Sequence, residues 1–295
     1  MSSFENMIKQ LLLIALLCLD LAMIHDLWKS PPVTMLHMLN VGQGDSLLLS
    51  TSERHHILID GGVGNFVLTQ LSEVLPESFR KIDLMILTHP HQDHMEGLIP
   101  VLERFDVQAI LMSAPDYNSE VYEAFLEAVR KEDCPVYFAQ ADTDFKFGDL
   151  NLDVLYPFEA RSGEVMANIN NASPVIKVDE WLLLTGDAEH EVEEELLNLD
   201  LHASVLKAGH HGSRTSSSDA FLDIVEPEIM LISAGLDNDF GHPHPETLEK
   251  IADRNITVYR TDQEGRVSLS LGCARSWLPK LLTFPRNVHN LDQCN

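Results

Sequence analysis

The sequence of 295 residues predicts an α/β fold, a four-layer αββα sandwich, from three observations. Short apolar runs alternate with amphipathic, helix-like stretches from Val33 to Gly272. These runs fall into two groups, each with its own helices, which is the pattern of two sheets packed face to face and covered outside. Several runs also end abruptly in Asp or His, as buried strands do when they deliver side chains to a site at their carboxyl ends.

Val33 to Leu39 and Ser46 to Ser50 read as strands joined by the tight turn Gly42-Gln43-Gly44-Asp45. Ile57 to Asp60 is a short buried strand ending at Gly61-Gly62, and Asn65 to Leu75 is a helix. Ile82 to Leu87 is apolar except for Asp83 and reads as one buried strand feeding a loop. A helix follows from Met95 to Phe105, then a strand from Ala109 to Met112 and an amphipathic helix from Ser119 to Lys131. Phe145 to Tyr156 forms a hairpin around Gly148-Asp149. In the second group, Val175 to Val178 and Trp181 to Leu184 pair across a turn at Asp179-Glu180. Ala188 to Leu199 is a very acidic helix, Ser204 to Ala208 and Ile229 to Ser233 are strands, and Pro245 to Asp253 is a helix. Thr257 to Arg260 and Val267 to Leu271 close the pattern around Gly265.

Residues 1–32 stand apart. Leu11 to Leu19 and Leu21 to Ile24 are apolar, but Asp20 interrupts them and the run is shorter than the roughly 20 apolar residues that span a bilayer. A signal segment or uncleaved anchor, an amphipathic helix holding residues 7–24 on a membrane or partner, and an extra helix packed on the domain all fit. The first two make the chain membrane-associated or exported; the third is compatible with a cytoplasmic protein. Lys29-Ser30-Pro31-Pro32 breaks any helix and sets the boundary. The domain then runs over 33–272, and 273–295 is an unassigned tail. Cys18, Cys134, Cys273 and Cys294 are scattered without a C-x-x-C pair, which speaks against a cysteine-built zinc site. The net charge of −26 disfavours a broad, nonspecific grip on polyanions. It leaves room for a nuclease whose metal ions supply positive charge locally.

The chemistry concentrates at the strand ends. Thr88-His89-Pro90-His91-Gln92-Asp93-His94 places three imidazoles and a carboxylate within six residues, a donor set that suits Zn, Fe or Mn. Its spacing lets His89 and His91 converge on one ion while Asp93 and His94 turn toward a second. Thr185-Gly186-Asp187 delivers a carboxylate able to bridge two cations. Lys207-Ala208-Gly209-His210-His211-Gly212-Ser213 ends a third strand in paired imidazoles. Neighbouring side chains on extended backbone point opposite ways, so one of the pair is a metal ligand and the other orients, touches substrate or moves a proton. Gly241-His242-Pro243-His244-Pro245 places His242 and His244 on the substrate side or behind a ligand. Asp60 is suited to accept the spare N–H of a ligating His, and Asp45 either does the same or shapes its turn. Asn168 to Asn171 reads as a water-holding segment. The hydroxyls from Ser213 to Ser218, with Arg214, fit either a phosphate contact or a helix cap.

These residues resemble the metallo-β-lactamase fold superfamily. His89, His91, Asp93 and His94 meet its H-x-H-x-D-H signature, Asp60 its first strand-end Asp and Asp187 its later bridging Asp. Val41 to Asp45, Leu58 to Gly62, Asn170 to Ser173, Leu184 to Asp187, Leu206 to Ser213 and Gly241 to Glu246 narrow the resemblance. They are similar to the C-terminal hydrolase domain of ComEC-type DNA-uptake proteins, here in a stand-alone form. Asn40 stands where that family often has Asp, and Asn near 170–171 replaces a superfamily His. The resemblance implies two divalent ions, Zn or Mn, with the His89/His91 ion the weaker. It assigns His89, His91, Asp93, His94, Asp187 and His210 to the metals. Asp93, Asp187 and His211 are assigned to catalysis, with His210 and His211 interchangeable. Asp60, Asp45, Asn171, Lys207, Ser213, His242 and His244 form the surround. The expected activity is hydrolysis by a metal-activated water, on phosphodiesters such as nucleic acid or a nucleotide. A carboxylic ester, lactone or amide hydrolase on the same site, and a non-catalytic metal-binding sensor or adaptor, are the alternatives.

Overall fold

β1 (Thr34–Met38) and β2 (Leu47–Ser50) pair antiparallel across the glycine turn, and β2 pairs antiparallel with β3 (His56–Ile59). The computed structural model describes residues 33–76, 79–271 and 280–281. The apolar segment 7–24 and nearly all of the tail 273–295, on which the anchor and tail expectations fall, lie outside these residues. Among the described residues no helix is long and apolar enough to cross a membrane.

After β3 come α1 (Phe66–Val74), β4 (Lys81–Ile82), β5 (Leu84–Leu87), α2 (Gln92–Met95), α3 (Leu98–Leu102), β6 (Asp106–Val107), β7 (Ile110–Met112), α4 (Glu120–Glu132) and β8 (Val136–Phe138). The second half contributes β9 (Phe145–Phe147), β10 (Leu150–Tyr156), β11 (Val175–Val178), β12 (Leu182–Leu184), α5 (His190–Leu196), β13 (Val205–Lys207), α6 (Asp219–Val225), β14 (Ile229–Ile232), α7 (Pro245–Asp253), β15 (Thr257–Arg260), α8 (Thr261–Glu264), β16 (Val267–Leu271) and β17 (Lys280–Leu281). One sheet has the order β17-β16-β1-β2-β3-β5-β7-β8 and the other β15-β14-β13-β12-β11-β10-β9.

Period-two burial makes the sandwich. Leu36, Met38, Leu47, Leu49, Ile57 and Ile86 of the first sheet meet Leu152, Val154, Ile176, Val178 and Leu184 of the second in one core. The alternate residues Leu48, Leu58, Met85 and Leu87 pack outward under α1 to α4. Leu183, Leu206 and Met230 pack outward under α5 to α7. Each such side chain removed from water contributes about 1.5–3 kcal/mol before the entropy of ordering is counted. The result is the four-layer αββα arrangement.

The structure differs from the sequence pattern in several places. Ile82 to Leu87 is not one strand, because the Asp83 carboxylate accepts the His56 N–H at 2.9 Å and the Lys81 ammonium at 2.6 Å. Ile82 is thereby diverted into a small two-stranded sheet formed by β4 and β6. The helix expected over Met95 to Phe105 is broken before α3. Gly97 packs on Gly61 so closely that a Cβ there would lie 2.0 Å from the Gly61 carbonyl oxygen. The acidic helix covers only His190–Leu196, and α6 and β8 had no clear signal. Finally, β15 stays on the edge of the second sheet, whereas β16 crosses back to pair antiparallel with β1.

Candidate metal centre

Two pairs of parallel neighbours aim their carboxyl ends at one place. β3 lies beside β5 and delivers Asp60 next to Thr88-His89; β12 lies beside β13 and delivers Asp187 next to the Gly209–Gly212 turn. Asp60 turns at φ 56°, in the left-handed region, which tucks its carboxylate beneath the histidine loop. There it accepts the Thr88 N–H at 2.8 Å and the Thr88 hydroxyl at 2.7 Å.

Asp60 also lies 2.7 Å from His94 Nδ1, so that nitrogen carries the proton and His94 Nε2 presents its lone pair to the site. His211 is held in the same sense. Its Nδ1 donates to the Ser233 carbonyl at 3.0 Å, with Asp45 Oδ1 3.2 Å away, so its Nε2 also faces inward. The two inward nitrogens are 3.3 Å apart, and each is within 3.4 Å of Asp187 Oδ2. Asp93 Oδ2 joins them at 3.4 Å from His211 Nε2. Behind this group the fully buried Lys207 meets Asp45 Oδ2 at 2.5 Å and donates to the Ala208 carbonyl at 2.8 Å.

His89 and His91 form the other half. His89 Nε2 lies 3.0 Å from His91 Nδ1 and 3.9 Å from Asp187 Oδ2. His89 Nδ1 faces only hydroxyls, Thr88 Oγ1 at 3.2 Å and Ser173 Oγ at 3.3 Å. Ser173 Oγ in turn accepts the Asp187 N–H at 3.1 Å.

The electrostatics follow this geometry. Burial works against a charged imidazole, yet Asp187 and Asp60 outweigh it at His94, and Asp187 and Asp45 at His211; both rings sit well above the usual imidazole range. Burial opposes ionisation of Asp187 as well, but His211 and His94 hold it well below the carboxylate range. Lys207 and His211 lower Asp45 against its burial. His89, buried and beside His94, is pushed well down. The site therefore calls for positive charge at its centre.

A divalent cation fits that demand. Asp45, His94, Asp187 and His211, all buried, offer ligand atoms within 4.8 Å of one another. Asp187 Oδ1 is buried without a hydrogen-bond partner. Lone pairs that converge at 3.3 Å from two rings proton-bearing on their far side repel each other unless a cation or proton lies between them.

The sequence-derived residues divide accordingly. His89, His91, Asp93, His94 and Asp187 come together. His211, not His210, carries its ring nitrogen into the group. His210 stands at the rim, with Nε2 3.9 Å from Asp187 Oδ2 and Nδ1 2.9 Å from Glu189 Oε1. Both residues have left-handed backbone, φ 47° and 55°, so alternation along an extended strand does not decide where they point. Asn171 is turned away, accepting the Glu189 N–H at 3.0 Å, while Asn170 lies beside His210 with its Oδ1 buried and unpartnered. Ser213 is committed to the loop: its hydroxyl meets Thr215 Oγ1 at 3.0 Å and its carbonyl accepts from Thr247. Ser218 caps α6, accepting the Phe221 N–H at 3.3 Å, so that hydroxyl serves as a helix cap. His242 is buried with its ring 5.3 Å from that of His210, and His244 Nδ1 accepts the Arg214 N–H at 3.0 Å. Sequence reasoning passed over Glu189, Ser173 and Ser233. Glu189 carried one signal, a carboxylate two residues beyond Asp187; Ser233 acts through its carbonyl, which no side-chain pattern reports.

A carboxylate-and-imidazole centre at the strand ends of an αββα sandwich defines a class. Residues 39–168 match the model of the metallo-beta-lactamase superfamily, and the chain carries a metallo-β-lactamase domain. Within that class it is similar to ComEC-type competence proteins. ComE operon protein 3 of Bacillus subtilis (strain 168) is 31% identical over 255 residues, which cover 78% of this chain and 32% of that protein. Competence protein ComA of Neisseria gonorrhoeae is 28% identical over 239 residues, covering 79% and 32%. The chain thus spans about a third of the length of these curated relatives. Among solved structures, the metallo-beta-lactamase fold protein YhfI of Bacillus subtilis shares the fold at a TM-score of 0.50 and 12% identity, over 77% of this chain and 95% of that one.

Proposed function

We propose that this chain is a metal-dependent hydrolase of phosphodiesters, nucleic acid or nucleotide. The observation that carries the metal reading is the convergence of the His94 and His211 Nε2 lone pairs on Asp187 Oδ2, within 3.4 Å, with all three side chains buried. Asp93, His94, Asp187 and His211 would hold one divalent ion, Zn or Mn. His89, His91 and Asp187 would hold a second, and Asn170 Oδ1 is buried without a partner. Such ions supply Lewis acidity toward a phosphoryl oxygen and an activated water at neutral pH.

The chain's own residues do the rest. Asp60 fixes the ring and tautomer of His94, and the Ser233 carbonyl and Asp45 fix those of His211. Lys207 keeps Asp45 ionised behind them. Asp93, at the open side of the group, is held low by His94 and His211 against its burial and stays a carboxylate. His210 is the proton-transfer candidate in place of His211. Glu189 accepts from its Nδ1, so its Nε2 stands at the rim with a lone pair, placed to take a proton from an attacking water. The phosphodiester preference draws support from the similarity to competence proteins and from a site whose chemistry suits a developing anion.

The test incubates purified protein with Mn²⁺ or Zn²⁺ and three substrates: a short labelled single-stranded oligonucleotide, a bis-aryl phosphodiester and an aryl ester. Metal-dependent turnover of the phosphodiesters, abolished in Asp187→Ala, is expected. Turnover of the ester alone moves the reading to ester, lactone or amide hydrolysis. No metal-dependent turnover of any of them leaves a metal-binding sensor or adaptor. The association of residues 7–24 with a membrane is a separate proposal, checked by flotation of the full chain with anionic vesicles.

A further inference from the structure

We infer that the cavity beside the metal centre is a base-recognition subsite, holding the neutral heterocycle of a nucleoside whose phosphodiester lies at the centre; this rests on the phosphodiester reading above. The cavity measures about 450 Å³ and is lined by Asn40, Gly42, Gln43, Leu236, Asn238 and Asp262, among others. That volume lies within the range of small-molecule sites.

Two chain segments link the cavity to the centre. The turn that carries Gly42 and Gln43 continues into Asp45, which lies against His211. The strand end that offers the Ser233 carbonyl to His211 also donates the Ser233 hydroxyl to the Gly44 carbonyl at 2.6 Å. The loop over the cavity is fixed by Asn238, whose amide donates to the carbonyls of Gly235 at 2.9 Å and His242 at 2.7 Å and accepts the His242 N–H at 3.0 Å. This clamp holds an apolar lip in water, with Leu236 74% and Phe240 65% exposed. Phe240 stacks on His242 at 5.8 Å, and His242 in turn lies beside His210.

The polar inventory selects the ligand. Gln43 Oε1 accepts the Gly235 N–H at 3.0 Å and Asn40 Oδ1 accepts the Gly42 N–H at 3.2 Å. Both oxygens are thereby spent inside the protein, and both NH₂ groups remain as donors. Asp262 is engaged by Arg260 at 2.6 Å and 2.9 Å. Among the described residues no Lys or Arg lines the cavity, so it offers an anion no cation to pair with. A heterocycle with carbonyl or ring-nitrogen acceptors matches two amide donors, and its faces match the apolar lip. On a chain of net charge −26, uncharged contacts of this kind are the available way to hold a nucleotide.

Two variants outside the metal centre test the subsite. Gln43→Glu keeps the acceptor for Gly235 and removes the donor, while Leu236→Ala trims the lip without changing charge. In the first arm, adenosine and thymidine, which carry no phosphate, are titrated into the full chain while amide resonances of Gly42, Gly235 and Asn238 are followed. Saturable shifts are expected, about tenfold weaker in either variant. In the second arm, a dinucleotide and its abasic analogue are compared with Mn²⁺. Wild type should favour the base-bearing substrate in kcat/KM by about tenfold, and Leu236→Ala should narrow that ratio. Absence of nucleoside shifts, or equal loss on both substrates, overturns the subsite. Nucleoside shifts without turnover of any phosphodiester overturn the activity reading and leave the subsite standing.

Discussion

The two halves of the centre are built on different principles. His94 and His211 are each backed through Nδ1, by a carboxylate at 2.7 Å in one case and by a carbonyl with a carboxylate beyond it in the other. His89 is backed by hydroxyls alone, and His91 is only partly buried. The first half is therefore charge-compensated before any ligand arrives, and its rings are held up in pKa, whereas burial pushes His89 and His91 down. Asp187 raises both rings of the first half, each with a backing carboxylate beside it, while His89 has no backing carboxylate and is lowered further by His94.

Asp187 belongs to both halves, so its loss should have the largest effect. Asp187→Ala is expected to lower kcat/KM by about a thousandfold or more and to reduce bound metal in both halves, read by elemental analysis. Loss of metal from one half alone would show that the carboxylate is not shared. Lys207→Met removes the ammonium that offsets Asp45 and leaves that buried carboxylate with His211 alone. A loss of about 3–5 kcal/mol in urea unfolding is expected, and an unchanged midpoint would mean that Asp45 is neutral in the folded protein.

An imidazole outside the site checks the effect of burial by pH. His37 faces the Ser268 hydroxyl at 2.8 Å, and burial, aided by Arg266, pushes its pKa down from 6.5 to about 4. Between those values the unfolded chain takes up a proton that the folded chain refuses. The contribution of His37 is thus intact above pH 6.5 and is lost as pH falls toward about 4. Relative to His37→Gln, wild type should lose up to about 3 kcal/mol between pH 7 and pH 4; parallel curves for the two proteins would refute the shift. The smallest effects separate the halves directly. Asp60→Asn should weaken metal binding by about 10–100-fold, measured by chelator competition. Ser173→Ala, behind His89, should weaken it only a few-fold, and equal losses would erase the distinction between the halves.

Much of this was legible in the sequence because strand ends are. Asp60, His89 and Asp187 each follow a short apolar run, and the αββα layering follows from two groups of such runs. What stayed hidden depends on contacts between distant residues. Nothing local to His210 and His211 says that both adopt left-handed backbone, and without that the ligand cannot be told from its neighbour. The break at Gly97 is invisible until Gly61 is placed against it. Asn170 and Asn171 are equivalent in composition and separate only through their different faces toward Glu189.

The donors that surround Asp187 Oδ2 straddle the cleft between the two sheets, His89 and His94 from one side and Asp187 and His211 from the other. A metal ion bound by them all would be a cross-link between the layers, absent from the unfolded chain. Folding and loading would then be a single linked equilibrium, in which the melting temperature would report the free metal concentration as much as the core.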